Sequence, residues 1–262
     1  MINHIKKFCS TIKKQKQKQK DNLEKMFALK LCIYLFASFL ALGDSFVRVS
    51  IPTNTSKRQD FRCNLVIDEI VQRIQPYIGV KLEMPVTKNK GKIGHWIEDI
   101  IGVKHSSNCL DCDDGEVKSF PVKRLVKRLV KVLHNNTIVA KQTIAITMIN
   151  SDDLLRDDFE SSKVYQKMKK CLFIPYLRED NMVKIMPPIL LEHDDESKEV
   201  YDILNKDYDL IRENFMQTNQ FFSSNGTYMQ TRTKGQKNTK TRAFYLRFDF
   251  IRKFLLGNNV FL

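Results

Sequence analysis

The sequence predicts one mixed α/β domain over residues 59–262, and three observations carry that expectation. Apolar residues recur at helical spacing in KGKIGHWIEDIIG at 90–102, and a longer helix is expected from Ser197 to Gln217. IVAKQTIAITMIN is rich in β-branched residues, and CLFIPYL, TYMQTRT and AFYLRFDF also read as strands. The span is near two hundred residues, long enough to bury one core.

In chain order, a helix opens the domain and a second carries Ile93, Trp96, Ile97, Ile100 and Ile101 on one stripe, with Glu98 at its edge. The segment LDCDDGEVKSF places Asp114-Gly115, a turn signal, between two candidate strands, which predicts a hairpin. VKRLVKRLVKVL at 122–133 admits two readings. It is either an amphipathic basic helix of membrane-surface type or a hairpin arm that turns at His134-Asn135-Asn136 and pairs with IVAKQTIAITMIN. The β-branched second arm favours the hairpin. A helix bearing Lys167, the strand CLFIPYL, the long helix and the two late strands complete the order.

Ahead of the domain lie a Lys/Gln-rich tail (1–25), a hydrophobic segment (26–43) and a linker (44–58). The thirteen uncharged residues LCIYLFASFLALG are short for a bilayer span of roughly 20 residues. They suit a signal-like core read from Met26, a membrane anchor or a helix packed on the domain. The sequon at Asn225 directly precedes the expected strand TYMQTRT, where a glycan would be awkward, which favours an intracellular location over secretion. Sequons also occur at Asn54 and Asn135. Cys109-x-x-Cys112 near His105 leaves a zinc site conceivable, but no second Cys or His pair completes four ligands, so reduced thiols are the simpler reading. Gly-rich phosphate loops, HExxH pairs, nucleophile elbows and long repeats are absent from the sequence.

The chemistry concentrates between Glu98 and Lys118. Glu116 and Lys118 stand two apart, so a strand presents both on one face and Val117 on the other. Paired carboxylates hold a divalent cation, and a lysine beside them can orient a water or steady a pentacovalent phosphate. Phosphodiester hydrolysis is the chemistry that this set suggests. The formal net charge of +14 agrees with a polyanionic partner, although residues 1–20 supply half of the excess with seven lysines and no acid. TRTKGQKNTKTR at 231–242 holds five cations and no acid between two expected strands.

Four blocks in order across about residues 60–255 resemble the MutH mismatch-repair endonuclease and the related type II restriction enzymes that cut GATC sites, a branch of the PD-(D/E)xK nucleases. They are KGKIGHWIE, DCDDGEVK, FESSKVYQKMKKCLFIP, and SNGTYMQTRTKG followed by AFYLRFDF. The resemblance implies a restriction-endonuclease-like mixed sheet flanked by helices and a Mg2+-dependent, sequence-specific double-stranded DNA endonuclease. Carried over residue by residue, it implies Glu98, Asp111 and Glu116 as active-site acids and metal ligands, with Asp111 and Glu116 primary, and Lys118 and Lys167 as catalytic basic residues that position the attacking water and neutralise charge on the phosphate. Lys90, Gly91, Gln142, Lys184, Arg232, Lys234 and Tyr245 would meet DNA. Double-stranded DNA, an activating protein of the mismatch-repair kind, and a monomer or weak dimer are the partners and state so implied.

Two departures stand out. Asp111 lies closer to Glu116 than the family's acid does, which leaves Asp113 as its rival, although Asp113 and Asp114 read as turn residues. Gln142 stands where many relatives carry a glutamate near the recognised adenine, and an amide donates as well as accepts, so base preference and methylation sensitivity do not carry over. The shortened loop also admits an inactive DNA-binding module of the same fold. The hydrophobic segment admits a membrane-associated or secreted basic protein.

Overall fold

The computed structural model describes residues 65–84, 91–103, 109–124, 138–235 and 239–257, all within one unit spanning Arg48–Leu262. The basic tail, the hydrophobic segment, the linker, Lys90, His105 and the run 125–133 lie outside the described residues. Among the described residues, no helix is long and apolar enough to cross a membrane.

Helix α1 (Ile67–Ile74) buries Ile67, Ile70 and Ile74 on one stripe, with Asp68 and Glu69 in its first turn and Arg73 in its last, as the helix dipole favours. A 3-10 turn, Gln75–Tyr77, leads to strand β1 (Lys81–Glu83). Helix α2 (Lys92–Ile101) buries Ile93, Trp96, Ile97 and Ile101 and stops at Gly102, which is left-handed at φ 80°. There the Val103 N–H donates to the Glu98 carbonyl at 2.9 Å.

Strand β2 (Glu116–Arg124) lies parallel to β5 (Lys170–Glu179), with Glu116 opposite Cys171 and Val122 opposite Leu177. Beyond β5, the strand β6 (Met182–Ile185) pairs with its second half and β7 (Ile189–Glu192) with its first, both antiparallel. β1 joins β6, and β3 (Ile138–Ala140) pairs antiparallel with the end of β2. Of the hairpin expected between 122–133 and IVAKQTIAITMIN, Val122–Arg124 pairs with Ile138–Ala140; residues 125–137 lie outside the described residues, and Ile144–Met148 pairs with Arg242–Leu246 instead. A second sheet of β4 (Ile144–Met148), β9 (Arg242–Leu246) and β8 (Met229–Thr233) is antiparallel throughout.

Strand alternation divides the core between the two faces of the first sheet. Val117, Leu172, Ile174 and Tyr176 pack with α1 and α2. Phe120, Val122, Cys171, Phe173 and Leu177 pack with the second sheet, with α4 (Lys163–Met168) and with α5 (Lys198–Thr218). A short helix, α3 (Ser151–Arg156), is capped by the Asn150 side chain, which accepts from Asp152 N and Asp153 N.

The structure corrects two expectations. Leu110–Asp114 forms bends rather than a strand, so Asp114-Gly115 does not turn a hairpin, and β2 finds its partners in β5 and β3. The polar groups of this segment are satisfied elsewhere: Asp113 N donates to the Leu65 carbonyl, and Asp114 accepts from Ile67 N and Lys170. The second concerns AFYLRFDF, whose strand ends at Leu246. Phe248–Phe250 turns into a short helix, α6, which continues as a wide turn over Ile251–Leu255. Phe250, Ile251 and Leu255 are buried at helical spacing while Phe248 stays exposed, a pattern that a period of two cannot produce.

Candidate active site

Glu116 opens β2 on the face that Phe120 shares, away from Val117 and helix α2. It is 2% exposed, and its Oε1 accepts from Lys118 Nζ at 2.7 Å and from Lys167 Nζ at 2.8 Å. Its Oε2 is buried and has no hydrogen-bond partner among the described residues. Asp111 lies alongside, its Oδ2 accepting from Val117 N at 3.2 Å. Burial first, and then the Glu116 charge, raises the Asp111 carboxyl above its ordinary range. Burial acts to lower the Lys118 ammonium, but the Glu116 carboxylate outweighs it and holds Lys118 above its usual value. Asp113, the rival ligand, is exposed.

Lys167 comes to Glu116 from α4, and several contacts fix that helix. Ser162 caps it by accepting from Tyr165 N at 3.2 Å and donates to the Phe159 carbonyl at 2.6 Å. At the other end, the Tyr201 hydroxyl donates to the Met168 carbonyl at 2.6 Å, while the Tyr201 ring stacks on His193. Tyr165 and His193 share a hydrogen bond of 2.8 Å.

The second sheet carries basic residues too. Lys234, exposed just past the end of β8, has its ammonium pushed below its ordinary value by partial burial and then by the charges of Lys118 and Lys167. Arg232, two residues earlier, donates to Thr143 Oγ1 at 2.9 Å and lies over the Tyr245 ring at 5.8 Å. Gln142, exposed in the turn between β3 and β4, is next to Thr143. Gln230 faces Tyr245 across the ladder, so Gln230, Arg232 and Tyr245 share the outer face while Met229 and Thr231 are buried. Asp207 of α5 holds this strand: its carboxylate accepts from Thr227 N and Tyr228 N, both at 2.6 Å, and from Met229 N at 2.8 Å.

Other expected residues fall elsewhere. Glu98 belongs to the helix on the Val117 side and lies 3.3 Å from His95 Nδ1. Among the described residues, no group of three His, Cys, Asp or Glu that could hold a metal ion is found. Alternation along β2 puts Glu116 and Lys118 on the face opposite Val117, which packs with α2. Lys184 pairs with Leu177, six residues along β5 from Cys171 and thus roughly 20 Å from the carboxylates. Gly91 stands at the start of α2. Cys109 and Cys171 are free thiols, and no zinc set forms among the described residues.

A divalent cation fits the pair that remains. An unpartnered buried carboxylate oxygen beside a second carboxylate is a hard donor set. Two protein carboxylates suffice for an ion such as magnesium, which keeps waters and substrate phosphate as its other ligands.

Sequence reading missed Asp207, Tyr201 and the Asp114–Lys170 pair. Asp207 carried a signal, an acid at helical spacing from the buried Leu204 and Ile211. The other two depend on neighbours far apart in the chain.

Residues 105–203 match the model of a family described as MutH, DNA mismatch repair enzyme. The matched span contains Asp111, Glu116, Lys118, Lys167 and Lys184, and stops short of Arg232, Lys234 and Tyr245. No curated protein matches the chain. The match over this part of the chain, together with a mixed sheet flanked by helices, supports a MutH/restriction-endonuclease-like family assignment and a nuclease of that kind.

Proposed function

We propose that the protein is a Mg2+-dependent, sequence-specific endonuclease of double-stranded DNA. The observation that carries this reading is Glu116, whose one oxygen accepts from two ammonium groups while the other is buried and unpartnered, with Asp111 beside it. Asp111 and Glu116 would be the primary ligands of the ion, with Glu98 as a further acid of the site. When bound, magnesium supplies Lewis-acid charge to the scissile phosphate. Lys118, whose ammonium the Glu116 carboxylate favours, acts as a fixed cation beside the phosphate. Lys167 has the same geometry toward Glu116, so the two ammoniums offset charge on the phosphate and orient the attacking water. Arg232, Lys234, Tyr245 and Gln142 form the DNA-facing side, and Lys90, Gly91 and Lys184 would touch the backbone further out.

The test is incubation of the full chain with unmethylated plasmid, with magnesium or with EDTA, and sequencing of any ends. Magnesium-dependent ends at one recurrent short site are expected, and Glu116→Ala or Lys118→Ala should abolish them while DNA binding persists. Intact plasmid together with retained DNA binding would instead favour the inactive module of this fold.

A further inference from the structure

We infer that Asp114 is a positioning residue, which sets the spacing between Asp111 and Glu116 by pinning the short turn that joins them. This inference rests on the reading of Asp111 and Glu116 as the metal-holding pair. Asp114 Oδ1 accepts from Ile67 N at 2.8 Å, and Oδ2 from Lys170 Nζ at 2.6 Å. Ile67 is the first residue of α1, whose N-cap, Val66, has no side chain able to accept, so Asp114 caps that helix from a distant part of the chain. Lys170 opens β5 next to Cys171, which lies opposite Glu116.

Backbone contacts close the rest of the turn. Cys112 N donates to the Gly115 carbonyl at 2.9 Å, and Asp113 N to the Leu65 carbonyl at 3.0 Å. A Cβ at Gly115 would come within 2.6 Å of the Lys170 carbonyl and 2.8 Å of Ile67 Cγ1. The turn therefore presses directly on β5 and α1, and only glycine permits that approach. With four residues between Asp111 and Glu116, little slack remains, and the Asp114 anchors hold the turn on both sides. Groups that hydrogen-bond a metal ligand directly typically matter by about 10–100-fold in affinity or activity, and Asp114, which acts through the turn, belongs at the lower end of that range.

Asp114→Ala, Asp114→Asn and Lys170→Met are compared with wild type for the magnesium concentration giving half-maximal cleavage, for kcat and DNA KM, and for Mn2+ binding by calorimetry. Asp114→Ala is expected to raise half-maximal magnesium and to weaken Mn2+ binding by about 10-fold or more, with DNA KM unchanged. Asp114→Asn, which keeps an acceptor for Ile67 N, and Lys170→Met should show smaller shifts in the same direction, and they carry the test if the alanine variant does not fold. A lower melting temperature with unchanged half-maximal magnesium and Mn2+ affinity would overturn the inference, leaving Asp114 a fold anchor only. Should wild type bind Mn2+ without cutting DNA, the endonuclease reading fails while the Mn2+ comparison still decides the role of Asp114. Wild type that neither cuts nor binds Mn2+ overturns both.

Discussion

Glu116→Ala and Asp111→Asn should change stability in opposite directions in metal-free buffer. Glu116 lies 2.7 and 2.8 Å from two ammoniums whose side chains are only 14% and 16% exposed. Removing one partner of a buried ion pair costs about 3–5 kcal/mol, because the remaining charge stays in poor solvent. Truncation also relieves the unpartnered Oε2, a group that costs about 1–3 kcal/mol when left unsatisfied. The net expectation is a loss of about 2 kcal/mol, or a fall in Tm of roughly 4–8 °C for a domain of this size. Urea and thermal unfolding in EDTA measure it, and a second scan with magnesium should raise the Tm of wild type but not of the variant. An Glu116→Ala protein as stable as wild type would refute the reasoning, since the lysines would then not depend on this carboxylate. So would an equal magnesium-induced rise in both.

Asp111 has a raised carboxyl pKa in the folded state, so its favourable contribution is complete below the ordinary value of 3.8 and is lost as pH rises through the folded one. Asp111→Asn should therefore be more stable than wild type at pH 7 in EDTA, with the difference shrinking as pH falls toward 4; urea midpoints across pH check this. Arg232→Ala and Lys234→Ala should each weaken DNA binding, and loss of a phosphate contact should reduce the magnitude of the log–log salt slope by about one, measured by fluorescence anisotropy from low to high salt. Asp207→Ala leaves three backbone N–H groups without their acceptor. At about 1–3 kcal/mol each, the loss should be at least ~3 kcal/mol, visible in urea unfolding and larger than for any exposed acid of α5.

Much of this protein is local in origin. The stripe Ile93, Trp96, Ile97 and Ile101 specifies α2, and the alternation about Val117 places Glu116 and Lys118 on one face, because helix and strand periods act over a few residues. The order of blocks from Glu98 to Tyr245 was likewise enough to indicate a MutH-like nuclease, and the match over 105–203 agrees. Tertiary structure decided what depends on distant partners. Lys167 meets Glu116 because α4 ends where β5 pairs in parallel with β2. Helix α2, which carries Glu98, packs through its apolar stripe against the Val117 face of the sheet. Asp114-Gly115, read locally as a hairpin turn, became an anchor because Lys170 and the uncapped start of α1 offered its carboxylate stronger partners than a neighbouring strand could. Sequence periodicity records which face a side chain takes; only the packed chain settles what waits on that face, since burial makes an unpaired charge costly and so selects the partners.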